Sequence, residues 1–261
     1  MVRTTGSAHD LPRSVLLAVW LDARPSAGIP LDRALNAIQL DDEPHTVAGW
    51  AEEEISLRAA LSAWSRHPVV CAALLPVPGD VAGVPAAVSA AAVEAGECVL
   101  VEADGRFFAA VPAVERFGSV YESGHLVRWD VRDIPSWRTA VLGQVGSLAD
   151  AERRLRTGLL QATEALAALD VARWRPDAAE AIAGLRRTTP AGWGPPPSLD
   201  ARRANVISTA TRLLAIVRLA TEDDGGAVNL WQADQRSTAL REVDRIARHA
   251  LAAASTSLLG A

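Results

Sequence analysis

His125-Leu126-Val127-Arg128-Trp129-Asp130-Val131-Arg132 decides the fold class, because its apolar residues Val127, Trp129 and Val131 alternate with Leu126, Arg128, Asp130 and Arg132. A period of two places Val127, Trp129 and Val131 on one face of a pleated strand and the charged residues on the other, as in a sheet with one exposed face. Upstream, two almost wholly apolar runs, Pro68 to Leu75 and Cys98 to Val101, have the length of buried strands. Ala103-Asp104-Gly105 then turns the chain into Phe107 to Val111, which predicts a hairpin. An alanine-rich helix is expected from Pro85 to Ala95, with proline in its first turn, where the missing N–H costs nothing. These pieces predict a small mixed sheet containing a β-α-β crossover.

Toward the amino terminus the period changes. Residues 1 to 10 are small and polar and predict a frayed start, and Leu11 to Leu21 reads as a short helix ending before Pro25 to Pro30. Leu31, Ala34, Leu35 and Ile38 fall at helical spacing, and Val47 to Trp64 is expected as a third helix with Trp50, Leu57, Leu61 and Trp64 on its apolar line. Beyond Gly146 every segment reads as helix. Ser147 with Asp150 is a capping-box variant, and Leu148, Leu155, Leu159, Ala162, Leu166 and Leu169 form one seam. A shorter helix follows from Pro176, a long one capped by Ser198 runs to Leu219, and the last spans about Asp234 to Ala253 with Arg241, Arg245 and Arg248 facing away from its apolar side. The expectation is an α+β protein: residues 1–146 as a mixed α/β domain with amino-terminal helices, and residues 147–261 as an antiparallel four-helix bundle.

Composition narrows the chemistry. The 26 basic residues are all arginine, so mechanisms that need a lysine to grip phosphate or form a Schiff base are excluded. A net charge of −5 argues against nucleic acid as the partner. Residues 1–146 carry 11 arginines against 18 carboxylates and the remainder 15 against 13, which suggests that the two halves face each other. Cys71 and Cys98 show no ligand spacing and read as buried thiols in a reducing compartment. The apolar run Val15 to Leu21 is too short for a membrane span or a signal peptide and ends at Asp22 and Arg24. The expected location is the cytoplasm, with no membrane association.

Val171-Ala-Arg-Trp-Arg-Pro-Asp-Ala-Ala-Glu180, Asp224-Gly-Gly-Ala-Val228 and Arg241 to Leu251 are similar to stretches of an uncharacterised family of high-GC bacterial proteins. The resemblance extends over residues 68 to 251. It implies a lineage and brings no activity, cofactor or site residue with it.

Candidate sites are few. Gly79, Asp80 and Gly83 join the end of an expected strand to the start of a helix, where anionic ligands settle in α/β sheets; the stretch lacks the glycine and lysine patterns of nucleotide loops. No motif names a cofactor. His45, among Asp41 to Glu43 and Glu52 to Glu54, has no paired spacing that would make a metal site, and His67 and His125 are the imidazoles that could meet at strand ends. Trp137 and Trp193 lie beside prolines and are the candidate anchors for a protein partner. Because catalytic spacings are missing, the sequence favours a non-catalytic protein that binds a protein partner or forms a homo-oligomer. The alternative is an enzyme or anionic-ligand binder using the Gly79 to Gly83 turn, with His67 or His125 as acid–base group.

Overall fold

Strand β1 (Thr46–Ala48), whose Val47 is wholly buried, pairs in parallel with β6 (Ser123–Asp133), and this is the one parallel pairing of a six-stranded mixed sheet in the computed structural model. The structure describes residues 11–119, 122–168, 194–221 and 230–257. The sheet runs β2-β1-β6-β5-β4-β3, with β2 (Ile55–Ser56), β3 (Val70–Leu74), β4 (Cys98–Ala103) and β5 (Arg106–Gly118) all antiparallel to their neighbours. The expected β-α-β crossover is therefore corrected. Helix α4 (Ala86–Ala95) returns the chain from β3 to an antiparallel β4, and the parallel partners are β1 and β6, far apart in sequence.

Alternation along the strands builds two cores. Cys71, Ala73, Val99, Val101, Phe108 and Ala110 face one, and Val70, Ala72, Leu74, Cys98, Leu100 and Ala109 the other. The first core is closed by α1 (Arg13–Ala27), α2 (Leu31–Gln39), α3 (Leu57–Trp64) and three helices of the second half: α6 (Leu148–Ala168), α7 (Ala201–Thr221) and α8 (Leu230–Ser255). The second is closed by α4 and α5 (Arg138–Val145). Ala252 of α8 belongs to the second core while Ala250, Leu251 and Ala254 belong to the first, so the last helix passes beside the edge of the sheet.

The β4–β5 hairpin turns at Asp104 and Gly105 with φ of 50° and 75°, the double left-handed turn that asparagine or aspartate followed by glycine favours. Strand β5 runs on to Gly118, through a stretch with no strand signal. Pro112 is tolerated because β5 pairs with β4 only as far as Ala110, so the absent N–H leaves no ladder bond unmade.

Several elements differ from expectation. Helix α1 continues through Pro25 to Ala27 and stops at Gly28, φ 60°; a proline in the last turn removes one backbone bond and does not end the helix. The expected helix from Val47 is a β1–β2 hairpin, and α3 begins only at Leu57, where the Ser56 hydroxyl accepts from the Ala59 N–H. Ser147 and Asp150 do cap α6 reciprocally. Its buried line is Ala151 and Leu155, with Gly158 against Ile246 and Leu213, whereas Leu159 is exposed. Asp200, not Ser198, caps α7, its carboxylate accepting from the Arg202 N–H. Leu240, Val243, Ala247 and Ala250 form the buried side of α8 as expected. The helix expected from Pro176 lies outside the described residues.

Candidate functional site

The expected ligand turn is closed on itself. Val77 and Asp80 exchange backbone hydrogen bonds of 3.0 and 2.9 Å, and the Val84 N–H donates to the Val81 carbonyl. Gly79, at φ +87°, lets the turn close. Gly83, at φ +84°, sits so close to α5 that a Cβ there would lie 3.3 Å from the Ala140 oxygen and Val141 Cα. Two of the amides an anion could use, those of Asp80 and Val84, are thus already spent.

The Asp80 side chain is gripped by α8. Arg248 Nη1 donates to Asp80 Oδ2 at 3.0 Å and to the Leu75 carbonyl at 2.9 Å, while its Nε donates to Asp244 Oδ2 at 2.7 Å. His249 Nε2 lies 3.0 and 3.2 Å from the two Asp80 oxygens. A carboxylate only accepts, so Nε2 carries a proton, and the other ring nitrogen, Nδ1, is a donor in the charged ring and an acceptor in the neutral one. That Nδ1 is buried with no hydrogen-bond partner among the described residues. Burial pushes the Asp80 carboxyl up, and the pull of His249 and Arg248 together outweighs it, leaving Asp80 below its ordinary range. Arg248, expected on the outer side of α8, is instead buried, because it satisfies groups across the sheet edge.

A second cluster joins the start of α1, the end of α2 and β6. Asp42 accepts from Arg13 Nε and Nη2 at 2.6 and 2.8 Å, and its two oxygens lie 3.2 Å from His45 Nε2 and 3.2 Å from His125 Nδ1. The Trp129 Nε1–H donates to His45 Nδ1 at 3.2 Å. An indole nitrogen can only donate, so His45 must hold its proton on Nε2, facing Asp42. Neither ring nitrogen of His45 then offers a lone pair to a metal. Among the described residues no group of three His, Cys, Asp or Glu side chains is placed to hold one. Burial opposes ionisation of Asp42, but hydrogen bonds from His45 and Arg13 bring its carboxyl far below the usual carboxylate range.

The remaining candidates are dispersed. His67 is exposed and lies 3.7 Å from Asp104, while His125 pairs with Asp42; β4 and β5 separate their strands, so the two imidazoles do not meet. Trp137 is a core residue, 1% exposed, packed in the second core, which corrects its reading as a surface anchor: Ile134 and Val141 bury it with α5. Trp193 lies outside the described residues. Sequence reading missed His249 and Arg248 as partners of Asp80. Their only sequence signal is adjacency on a helix, and the contact spans 169 residues. No described helix is long and apolar enough to cross a membrane.

These features define an α+β protein whose last helix is keyed into the turn between β3 and α4. The chain belongs to the Rv1486c-like protein family: the family's N-terminal domain matches residues 14–145 and its C-terminal domain residues 149–252. No curated protein and no solved structure matches it.

Proposed function

We propose that this chain is a cytoplasmic, non-catalytic protein that acts by binding a protein partner or a second copy of itself. The observation that carries the reading is the bare face of the β5–β6 hairpin. Phe117 and Leu126 are 41% and 47% exposed on the face that α4 and α5 cover only farther along the sheet. Glu115 pairs with Leu126 and Phe117 with Gly124, so the two apolar side chains are diagonal neighbours on one surface. The acid–base groups speak for the same reading, since Asp80, Arg248 and Asp42 are engaged in bonds within the chain.

Sedimentation velocity over a concentration series tests self-association, and affinity capture with the wild-type chain as bait tests a partner. Replacing both Phe117 and Leu126 by aspartate is expected to weaken the complex by about 30-fold per interface anchor, about 2 kcal/mol each, without unfolding the protein. A complex that survives the double replacement removes this face from the reading.

The unpartnered Nδ1 of His249 favours a second reading, an anionic small molecule bound beside the Gly79 to Gly83 turn by the N–H that Nδ1 carries when the ring is charged. A thermal-shift screen with nucleotides, carboxylates and phosphate separates the two. A stabilising ligand whose effect disappears in His249→Gln supports the second.

A further inference from the structure

Among the described residues, strand β5 ends in an unpaired edge. The Ile134 N–H donates to the Phe107 carbonyl and the Ser119 N–H to the Glu122 carbonyl, and the β5–β6 register is unbroken between them. Odd-numbered residues of β5 therefore bond to β6, and even-numbered residues point their N–H and C=O groups the other way. For Phe108 and Ala110 that direction leads to β4, opposite Val101 and Val99. Pairing with β4 ends there. Beyond it, the N–H and C=O of Val114 and Arg116 form no backbone hydrogen bond among the described residues, and Glu115 to Gly118 are all exposed. The missing N–H of Pro112 falls on this same edge, where a proline is compatible with a strand that has no neighbour.

We propose that this edge takes an extended peptide as an added strand, continuing the sheet where β4 leaves off, and that the peptide alternates acidic and apolar residues. The inference rests on the protein-binding reading above. Charge selects the occupant. Arg116 stands opposite His125 on one face of the hairpin, and it has no ionic partner among the described residues. A strand laid beside β5 places every second side chain next to Arg116 on that face, where a carboxylate is favoured. The intervening side chains fall on the other face beside Phe117, where an apolar group is favoured. A second copy of this chain is disfavoured in the registers whose twofold axis falls at Glu115 or Arg116, because these set like charges opposite each other. Strand addition of this kind derives affinity from main-chain bonds and specificity from alternate side chains.

The probe is a capped synthetic heptapeptide, Asp-Val-Asp-Val-Asp-Val-Asp, with a Lys-Val repeat of the same length as control. Binding is read by fluorescence anisotropy and by amide hydrogen exchange. The acidic peptide is expected to bind and to slow exchange at the Val114 and Arg116 amides by about tenfold or more, as two new edge bonds require. Val114→Pro removes an outward N–H without touching the β5–β6 ladder and is expected to weaken binding about tenfold. Arg116→Glu, an exposed change that leaves the fold alone, is expected to reverse the preference toward the lysine peptide. Unprotected Val114 and Arg116 amides, or a Val114→Pro affinity equal to wild type, would overturn the proposal. So would failure of both peptides to bind at millimolar concentration, and that result leaves the Phe117–Leu126 face to be judged by its own double replacement.

Discussion

Asp42 shows how one carboxylate can secure three elements. It anchors the start of α1 through Arg13, the entry to β1 through His45, and β6 through His125. Its folded-state carboxyl is held well below the ordinary range, against the opposing effect of burial. A depressed carboxylate contributes stability that is complete above its unfolded value, about pH 4, and is lost as the pH falls through the folded value. Asp42→Asn is expected to cost about 3 kcal/mol at pH 7, because the ion pair with Arg13, in a mostly buried place, is lost. Urea unfolding of wild type and variant should therefore differ at pH 7 and converge as the solution is acidified below pH 4. Glu97 behaves oppositely. Its carboxyl is raised by burial although it accepts from the Ser14 N–H at 2.8 Å, so its ionisation works against the fold as the pH rises through the folded value. Glu97→Gln keeps an acceptor and removes that charge. Its melting temperature at pH 7 should equal or exceed wild type, and a clear fall would show that the charge itself is needed at the start of α1.

At the scale of the element, Gly49 explains why the β1–β2 hairpin exists where the periodicity of Val47 to Trp64 suggests a helix. It has φ +80°, and a Cβ there would lie against the Val131 carbonyl oxygen. Gly49→Ala is expected to destabilise by about 3 kcal/mol or more, combining left-handed strain with a backbone clash, and to release the β1–β6 pairing first. Amide exchange at Val47 reads this directly, and unchanged protection would contradict it. What the sequence made legible follows the range of the interactions. The alternation of β6, the Asp104–Gly105 turn and the Ser147–Asp150 cap are written in neighbouring residues, and each is found as read. Trp50 and Trp64 share an apolar spacing that is compatible with a helix, yet Trp50 reaches Trp64 and Phe108 from a loop, with ring centroids 5.8 and 5.0 Å apart. The amphipathic pattern records that these residues are covered and not which backbone carries them. The same limit hid the Asp80 cluster: the turn was visible, but its cationic partners come from the last helix.

For the whole molecule, the charge imbalance between the halves takes a definite form at their contact. Arg203 of α7 pairs with Asp22 of α1 at 3.1 Å, and Arg248 and His249 of α8 hold Asp80. The same helix also seals the sheet. The side of β3 away from β4 is a strand edge, buried on both faces and rich in alanine and valine, the kind that recruits other chains when exposed. Ser257 answers it in place of a strand: its hydroxyl accepts from the Cys71 N–H at 2.9 Å and its N–H donates to the Cys71 carbonyl at 2.8 Å. Ser255 approaches the Ala73 carbonyl, and Arg248 takes that of Leu75. At the opposite edge, β2 is only two residues long and follows exposed Glu52, Glu53 and Glu54. Sheet extension is thus opposed at both outer strands, whereas the outer half of β5 has no strand beside it among the described residues.

Arg248 is therefore a joint between the halves as well as a cover for the edge. Arg248→Met keeps an unbranched apolar stem and removes the donors, leaving Asp244 without this cation and the Leu75 carbonyl without this bond. The expected cost is about 3 kcal/mol, measured by urea unfolding. Ending the chain at Ser255 separates sealing from joining. It retains Arg248 and His249 and removes both bonds to Cys71, so the α8–Asp80 contact should persist while the Cys71 amide loses its exchange protection and the protein associates at micromolar concentration. If the shortened chain stays monomeric with Cys71 still protected, β3 is closed by the packing of α8 alone, and the paired bonds of Ser257 are incidental to it.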